Sequence, residues 1–160
     1  MTATGTIRTF AENQLIEAIS ALDGFTDTPS DTDWLVSGPP DGEPKSRRWV
    51  VIGTYDGSLD PNGIEAGAGP SIDEWTITCG AACTDVADAQ TGKQACEDVI
   101  NAIADMLAAD HRVGAGSSGL RDVTVARIDG PYSEQVSGKP RLSWINFDIT
   151  ARADIRRNQT

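Results

Sequence analysis

Two segments of the chain carry apolar residues at the three- and four-residue spacing of an amphipathic helix. The first runs from about Ile7 to Leu22, and the second from Thr91 to Ala109. The second has a broad apolar stripe and a polar face marked by Glu97, Asp98 and Asp105. A stripe of that width predicts packing against a sheet.

Five further segments have the composition or the alternation of strands. Arg48–Tyr55 is apolar on both faces, which predicts a central strand. In Arg141–Ile155 apolar and polar residues alternate, which predicts a long strand with one buried face. The other three segments are Trp34–Ser37, Ile72–Cys79 and Asp122–Ile128.

The order of these elements predicts a single α+β domain over residues 1–160. We expect a mostly antiparallel, mixed sheet of four to five strands, with two helices packed on one face. Two long connectors, Asp56–Ser71 and Asp129–Pro140, contain Gly and Pro and lack periodicity. Connectors of this length are uncommon in small domains and are usually functional or disordered.

Charge is distributed unevenly along the chain. The net charge is −11, of which residues 1–110 carry −14 and residues 111–160 carry +3. This excess of acid argues against a protein that grips nucleic-acid phosphates and against docking on an anionic membrane. The unevenness has two interpretations. It is either a solvated acidic surface, or the mark of a self-complementary molecule whose acidic face meets the basic face of the next copy.

The hydropathy of the chain bears on its location. No apolar run approaches the roughly 20 residues that span a bilayer. The segment Met1–Arg8 lacks the charged and apolar regions of a signal peptide. We therefore expect a soluble protein that stays in a cytoplasm, or in a particle assembled there.

The residues best suited to chemistry do not form a recognisable site. Three residues separate Cys79 from Cys83, Cys96 stands apart, and the single histidine is His111. Structural zinc sites usually use four Cys or His ligands in two closely spaced pairs, so we interpret the cysteines as reduced, half-buried side chains. His111 has no partners placed for general acid–base catalysis.

Two loop segments resemble known binding motifs but do not meet the requirements of those motifs. The pattern Gly114-x-Gly116-x-x-Gly119 follows a predicted helix and precedes a predicted strand, the reverse of a dinucleotide-binding motif. Counted from Asp56, the sixth and twelfth positions of a calcium loop are Pro61 and Gly67 instead of Gly and Glu. The sequence therefore predicts no enzyme activity, no cofactor and no metal site.

Trp144 lies on the polar face of the last predicted strand. Its neighbours Ile145 and Phe147 belong to the opposite, apolar face. A large aromatic side chain in that position is either a partly buried packing residue or an anchor for an interface.

The order and spacing of the elements resemble those of the tail terminator proteins of long-tailed, siphovirus-type bacteriophages of actinobacteria. The resemblance covers nearly the whole chain, and none of its motifs is catalytic. Neck and tail-completion proteins of the same particles have similar lengths and compositions. The segments that carry the resemblance are the helix Ile7–Leu22, the strand Arg48–Tyr55, the strand Glu74-Trp-Thr-Ile-Thr-Cys79, the helix Ala95–Ala109, the hinge Asp110–Gly119, the strand Asp122–Ile128 and the pattern Ile145-x-Phe147-x-Ile149-x-Ala151.

The resemblance implies a structural role in the virion. Tail terminators form a ring, usually a hexamer, on the last ring of the tail tube, where they stop tube polymerisation and provide the docking surface for the head and neck. The implied partners are other copies of this chain, the major tail tube protein and a neck or stopper protein. DNA passes through the lumen without specific binding. The implied location is the head-proximal end of the tail, after assembly in the host cytoplasm.

Two other functions remain open at this stage. A neck or head-closure protein, such as a stopper or tail-completion protein, would act at the same junction. A small ligand-binding domain or enzyme would need a pocket with convergent polar groups, which the sequence does not indicate.

Nine residues are candidates for contacts between subunits or with partners. The long connectors contribute acidic and aromatic side chains, since loops of that length can order on binding. Trp144 is the candidate anchor, and arginines near the C-terminus are expected to meet acidic loops of an adjacent copy. The full set is Asp56, Asp60, Glu65, Tyr132, Glu134, Trp144, Arg152, Arg156 and Arg157.

Overall fold

A computed structural model describes residues 4–40, 46–53, 71–84, 86–113, 120–135 and 137–155. These residues form two helices and six strands. The helices are α1 (Thr4–Ser20) and α2 (Ala89–Ala109), and the strands are β1 (Phe25–Thr26), β2 (Trp34–Ser37), β3 (Arg48–Ile52), β4 (Ser71–Cys83), β5 (Leu120–Glu134) and β6 (Leu142–Ile155).

The strands form one mixed sheet in the order β1-β2-β3-β4-β6-β5. The pairs β1–β2 and β2–β3 are parallel, and the other three pairs are antiparallel. The α+β class and the mostly antiparallel, mixed sheet are thus confirmed. The expected count of four to five strands is wrong, because β1 adds a sixth. A two-residue strand is too short to show the alternation on which sequence-based assignment depends.

The prediction of a connector at Asp129–Pro140 is wrong for the first half of that range. Strand β5 continues to Glu134, and Tyr132 pairs with Trp144 across a long β5–β6 hairpin. The sequence Gly130-Pro131 is typical of a loop. In the structure both residues lie within β5, where the strand shifts register between Asp129 and Tyr132. Proline is tolerated there because β5 is an edge strand.

Several other boundaries differ from the expected ones. Helix α1 lies two to three residues nearer the N-terminus than predicted, and β4 extends past Cys79 through Gly80-Ala-Ala to Cys83. Strand β3 ends at Ile52 instead of Tyr55, which lies outside the described residues. The connector Asp56–Ser71 also lies outside them, except for Ser71, which begins β4.

Helix α2 begins two residues earlier than predicted because Asp88 caps it. The Asp88 carboxylate accepts hydrogen bonds from the Thr91 backbone N–H at 2.8 Å and from the Thr91 hydroxyl at 3.0 Å. These contacts satisfy a free N–H group of the first turn, and they hold the pKa of Asp88 below its usual value. Within the described residues, no helix has the length and hydropathy that a bilayer span requires.

Both helices contribute to one core. Leu15 and Ile19 of α1 and Ile103 of α2 pack in the same cluster as alternate residues of β4 and β6, such as Ile77 and Phe147. The residues between these alternate positions therefore line the face of the sheet opposite the helices.

Helix α2 approaches β6 closely at Gly92. A Cβ atom on Gly92 would lie 2.1 Å from the Ser143 hydroxyl oxygen and 2.7 Å from the Ser143 Cβ. Only glycine fits at this position without displacing a neighbour, so its lack of a side chain lets α2 lie close to the hairpin end of β6.

Candidate interaction surface

A row of mostly apolar side chains crosses five strands on the face opposite the helices. Each member is the direct register partner of the next, so the row runs across the strands. Neighbouring strands lie roughly 4.8 Å apart, so the row is about 19 Å long. This aromatic row consists of Leu35, Trp49, Ala82, Trp144 and Tyr132.

The aromatic row becomes more exposed towards the β5 edge. Ala82 is 8% exposed and has Trp49 and Trp144, both half-buried, as its register partners. Tyr132 is 42% exposed, and its ring centroid lies 5.4 Å from that of Trp144 with an interplanar angle of 33°. Tyr132 is one of two large hydrophobic side chains exposed within the described residues; the other is Ile128, also on β5. Exposed aromatic side chains of this kind are typical anchors of interfaces.

A depression adjoins the exposed end of the row. Arg127, Asp129, Asn146, Phe147 and Asp148 line it. It lies where β5 shifts register twice, between Val125 and Arg127 and between Asp129 and Tyr132. The shifts bend and twist the edge strand, so that polar groups of β5 and β6 converge.

The Tyr132 hydroxyl donates a hydrogen bond to the Asp129 carboxylate. This bond and the adjacent negative charge both favour the protonated phenol, and together they raise the pKa of Tyr132. The bond also ties the exposed end of the aromatic row to the rim of the depression.

The end of the hairpin is acidic as well as aromatic. Glu134 lies two residues beyond Tyr132 and is exposed, so it extends the same face of β5. We define the hairpin-end surface as Asp129, Tyr132, Glu134, Trp144 and Asp148. Among the residues that line the depression, two carboxylates face one guanidinium, that of Arg127. Arg141 contacts Ser133 and Gln135, the neighbours of Glu134 in β5. This surface therefore offers a cationic partner both negative charge and aromatic faces.

The opposite end of the same face is polar. Thr76, Thr150 and Thr124 form one row across β4, β6 and β5. Two residues further on, Arg152 lies between Glu74 and Asp122 of its own chain, with Nε 3.3 Å from Glu74 Oε2 and Nη1 3.9 Å from Asp122 Oδ2. All three side chains are substantially exposed, so these ion pairs contribute little to stability.

The structure gathers three of the nine predicted contact residues on the hairpin-end surface: Tyr132, Glu134 and Trp144. Arg152 lies on the same face but about 27 Å from Trp144, because eight residues of β6 separate them. The other five lie outside the described residues: Asp56, Asp60, Glu65, Arg156 and Arg157.

Sequence reasoning missed Asp129 and Asp148 of this surface, and Arg127 and Asn146 of the adjoining depression. Asn146 and Asp148 alternate with the apolar residues of β6, so the period of that strand already placed them beside Trp144. Asp129 and Arg127 could not be added without the β5–β6 pairing, which the Gly130-Pro131 signal concealed.

The cysteines lie in the core and are free thiols. Cys79 and Cys83 occupy the same face of β4, about 13 Å apart, so they cannot bind one metal ion together. Burial raises the pKa of Cys79 to about 12, and a hydrogen bond with Cys83 together with burial raises the pKa of Cys96. The described part of the chain contains no group of three His, Cys, Asp or Glu residues able to hold a metal ion.

His111 is exposed in the turn that follows α2, where Asp110 caps the end of the helix. The glycines of the Gly114-x-Gly116-x-x-Gly119 pattern lie outside the described residues.

Comparison with protein-family models gives no match, and comparison with curated proteins gives none either. Functional inference therefore depends on the chemistry of the hairpin-end surface, the charge distribution and the order of the elements.

Proposed function

We propose that this protein is a structural component of a phage tail, which forms a ring on the tail tube, ends tube polymerisation and provides the docking surface for the head and neck. The observation that carries the proposal is the hairpin-end surface. It combines an exposed tyrosine, a half-buried tryptophan and acidic side chains on a sheet face opposite the helices. Such a combination of aromatic anchors and a polar rim is the usual anatomy of a protein interface.

Charge supports assembly from identical copies. A ring needs two different surfaces on each subunit, one that meets the preceding copy and one that meets the following copy. The last 50 residues carry +3 overall, and they hold acidic side chains on the β5–β6 hairpin and arginines beyond the end of β6. The hairpin-end surface supplies an acidic patch, and the C-terminal arginines supply a basic one.

The overall charge also suits a channel for DNA. A hexamer of chains with net charge −11 would carry about −66. Where acidic side chains line the lumen, they repel phosphate, so DNA slides through without being gripped. The hexameric state itself is taken from the resemblance to tail terminators.

A neck or head-closure protein is the alternative role. It would use the same kind of surface at the same junction of the particle. The two roles differ in location, because a tail terminator stays on tails that lack heads, whereas a head-closure protein stays on filled heads.

Electron microscopy of the purified protein with tail tubes tests the proposal. Tubes assembled from the major tail protein should gain one ring of extra density at one end, and their growth should stop. A monomer in free solution is compatible with the proposal, since the ring can close on the tube. A protein that stays monomeric at every concentration and leaves tube ends bare would contradict it, as would a turnover activity.

A further inference from the structure

We infer that the hairpin-end surface binds the basic segment Arg156–Arg157 of a neighbouring copy of this chain. The inference rests on the proposed ring and specifies which two surfaces close it. Its basis is the placement of the acidic and aromatic groups at one end of β6, and of the arginines just beyond the other end.

The chemistry of the surface fits an arginine. A guanidinium group forms charge-assisted hydrogen bonds with carboxylates and packs on the faces of aromatic rings. Asp129 and Asp148 line the depression, and Tyr132 and Trp144 stand beside it. Because Arg127 balances only one of the two carboxylates that line the depression, the depression keeps a net negative charge that one incoming arginine would neutralise.

The reach of the chain excludes its own arginines. Strand β6 ends at Ile155, and Asp148 lies seven residues earlier, so about 24 Å of extended strand separates them. Arg157 follows Ile155 by two residues, which adds at most about 7 Å of backbone and roughly 7 Å of side chain. The total of about 14 Å falls short of the depression by about 10 Å. An arginine of this segment can therefore occupy the surface only on another copy.

Arg152 does not compete for the role. Its guanidinium already contacts Glu74 and Asp122 of its own chain. Arg156 and Arg157 carry the positive charge that remains beyond the end of β6.

The two contact surfaces also lie in a suitable arrangement. Trp144 and Ile155 are eleven residues apart on one strand, which is about 37 Å and comparable to the width of a small domain. Docking the end of one β6 on the hairpin end of the next joins two different patches head to tail. That is the kind of contact that closes into a ring when the rotation between copies permits.

A designed disulfide tests which copy supplies the segment. The double variant Asn146→Cys/Arg157→Cys places one thiol in the exposed floor of the depression and one in the basic segment. Mild oxidation of concentrated protein, and of protein bound to tubes, should give reducible covalent oligomers in a ladder up to the closed ring. A mixture of the two single variants should give heterodimers only. The native cysteines are buried and do not contribute.

A matched control and a charge exchange complete the experiment. The variant Asn101→Cys/Arg157→Cys carries the first thiol on the exposed face of α2 and should give no ladder above background. Replacement of Arg156 by Glu in the cross-linking variant, in which position 157 carries the thiol, should reduce the oligomer yield about tenfold. Adding Glu134→Lys and Asp148→Lys to that variant should restore it.

The outcomes separate the inference from the proposed function. If wild-type rings cap tubes but the Asn146/Arg157 thiols cross-link no better than the control, the inference is overturned and the proposed function stands. Cross-linking of Asn146→Cys to tube protein instead of a second copy also overturns it. If the ladder forms, and the charge variants lower and then restore its yield as expected, while tubes stay uncapped, the inference stands and the proposed function fails.

Discussion

Tyr132 and Trp144 are direct register partners at the end of the β5–β6 hairpin, and their rings lie 5.4 Å apart. The pair joins an exposed side chain to a half-buried one, so the aromatic surface is anchored in the sheet while one ring stays accessible. Contacts of this type contribute roughly 0.5–1.5 kcal/mol beyond the area they bury. The accessible ring is thus available to a partner without loss of the fold.

Replacement of Tyr132 by Ser should impair assembly far more than stability. Because Tyr132 is exposed, we expect the free energy of unfolding to fall by only about 1 kcal/mol. The number of capped tubes in electron micrographs should fall sharply. The matched control is Ile128→Ser, which removes an exposed apolar side chain of β5 outside the aromatic row. Equal loss of capping in both variants would refute a specific role for Tyr132.

Addition of a methyl group at Gly92 should destabilise the protein by about 3 kcal/mol. The new Cβ would overlap the Ser143 side chain and also approach Val86 Cγ2 at 2.9 Å. Urea unfolding of Gly92→Ala measures the loss. The double variant Gly92→Ala/Ser143→Gly removes the serine side chain and should recover a large part of the stability. Without any recovery, the contact with Ser143 is not the cause.

The three thiols should be inert in the folded protein. Cys79, Cys83 and Cys96 are all buried, and the pKa of Cys79 is about 12, so almost no reactive thiolate exists at pH 8. An aromatic disulfide reagent followed by absorbance should detect no thiols before unfolding and three in denaturant. Fast reaction of any one thiol in the folded protein contradicts the core placement.

Substitution of Asp129 by Asn should lower the pKa of Tyr132 towards the ordinary value for tyrosine. The hydrogen bond to Asp129 raises that pKa in the folded protein, so its contribution to stability is complete below about pH 10 and is lost as the pH rises through the folded-state pKa. Ultraviolet titration of the phenolate measures the shift. The chain has two tyrosines, and Tyr132→Phe isolates the signal of the other one. Identical titration curves for wild type and Asp129→Asn would show that Asp129 does not raise the pKa of Tyr132.

The parts of the fold that sequence analysis predicted correctly are those where one strand or helix faces the core. Ile145, Phe147 and Ile149 alternate with polar residues because β6 has one buried face, and that period is visible in the chain itself. Helix α2 can be recognised in the sequence for the same reason, since one of its faces packs against the core. Strand β1 is not, because Phe25 and Thr26 are strand residues only through their pairing with β2.

The candidate surface was predictable only in part. Trp144 and its polar neighbours follow from the period of β6, whereas their contact with Tyr132 depends on the partner strand. Gly130 and Pro131 have the local chemistry of a loop, and the sheet absorbs them as a bulge in an edge strand. Local signals therefore failed where tertiary pairing determined the conformation.

The three register shifts in β5 have a consequence for how copies of the chain would associate in the proposed ring. An edge strand of fifteen residues in regular pleat would offer its free backbone groups to any passing chain, and such pairing propagates without limit into fibres. The kinked edge breaks up that template. In the proposed ring, new copies would then attach through side-chain recognition, and the angle of that contact would determine how many subunits complete the circle.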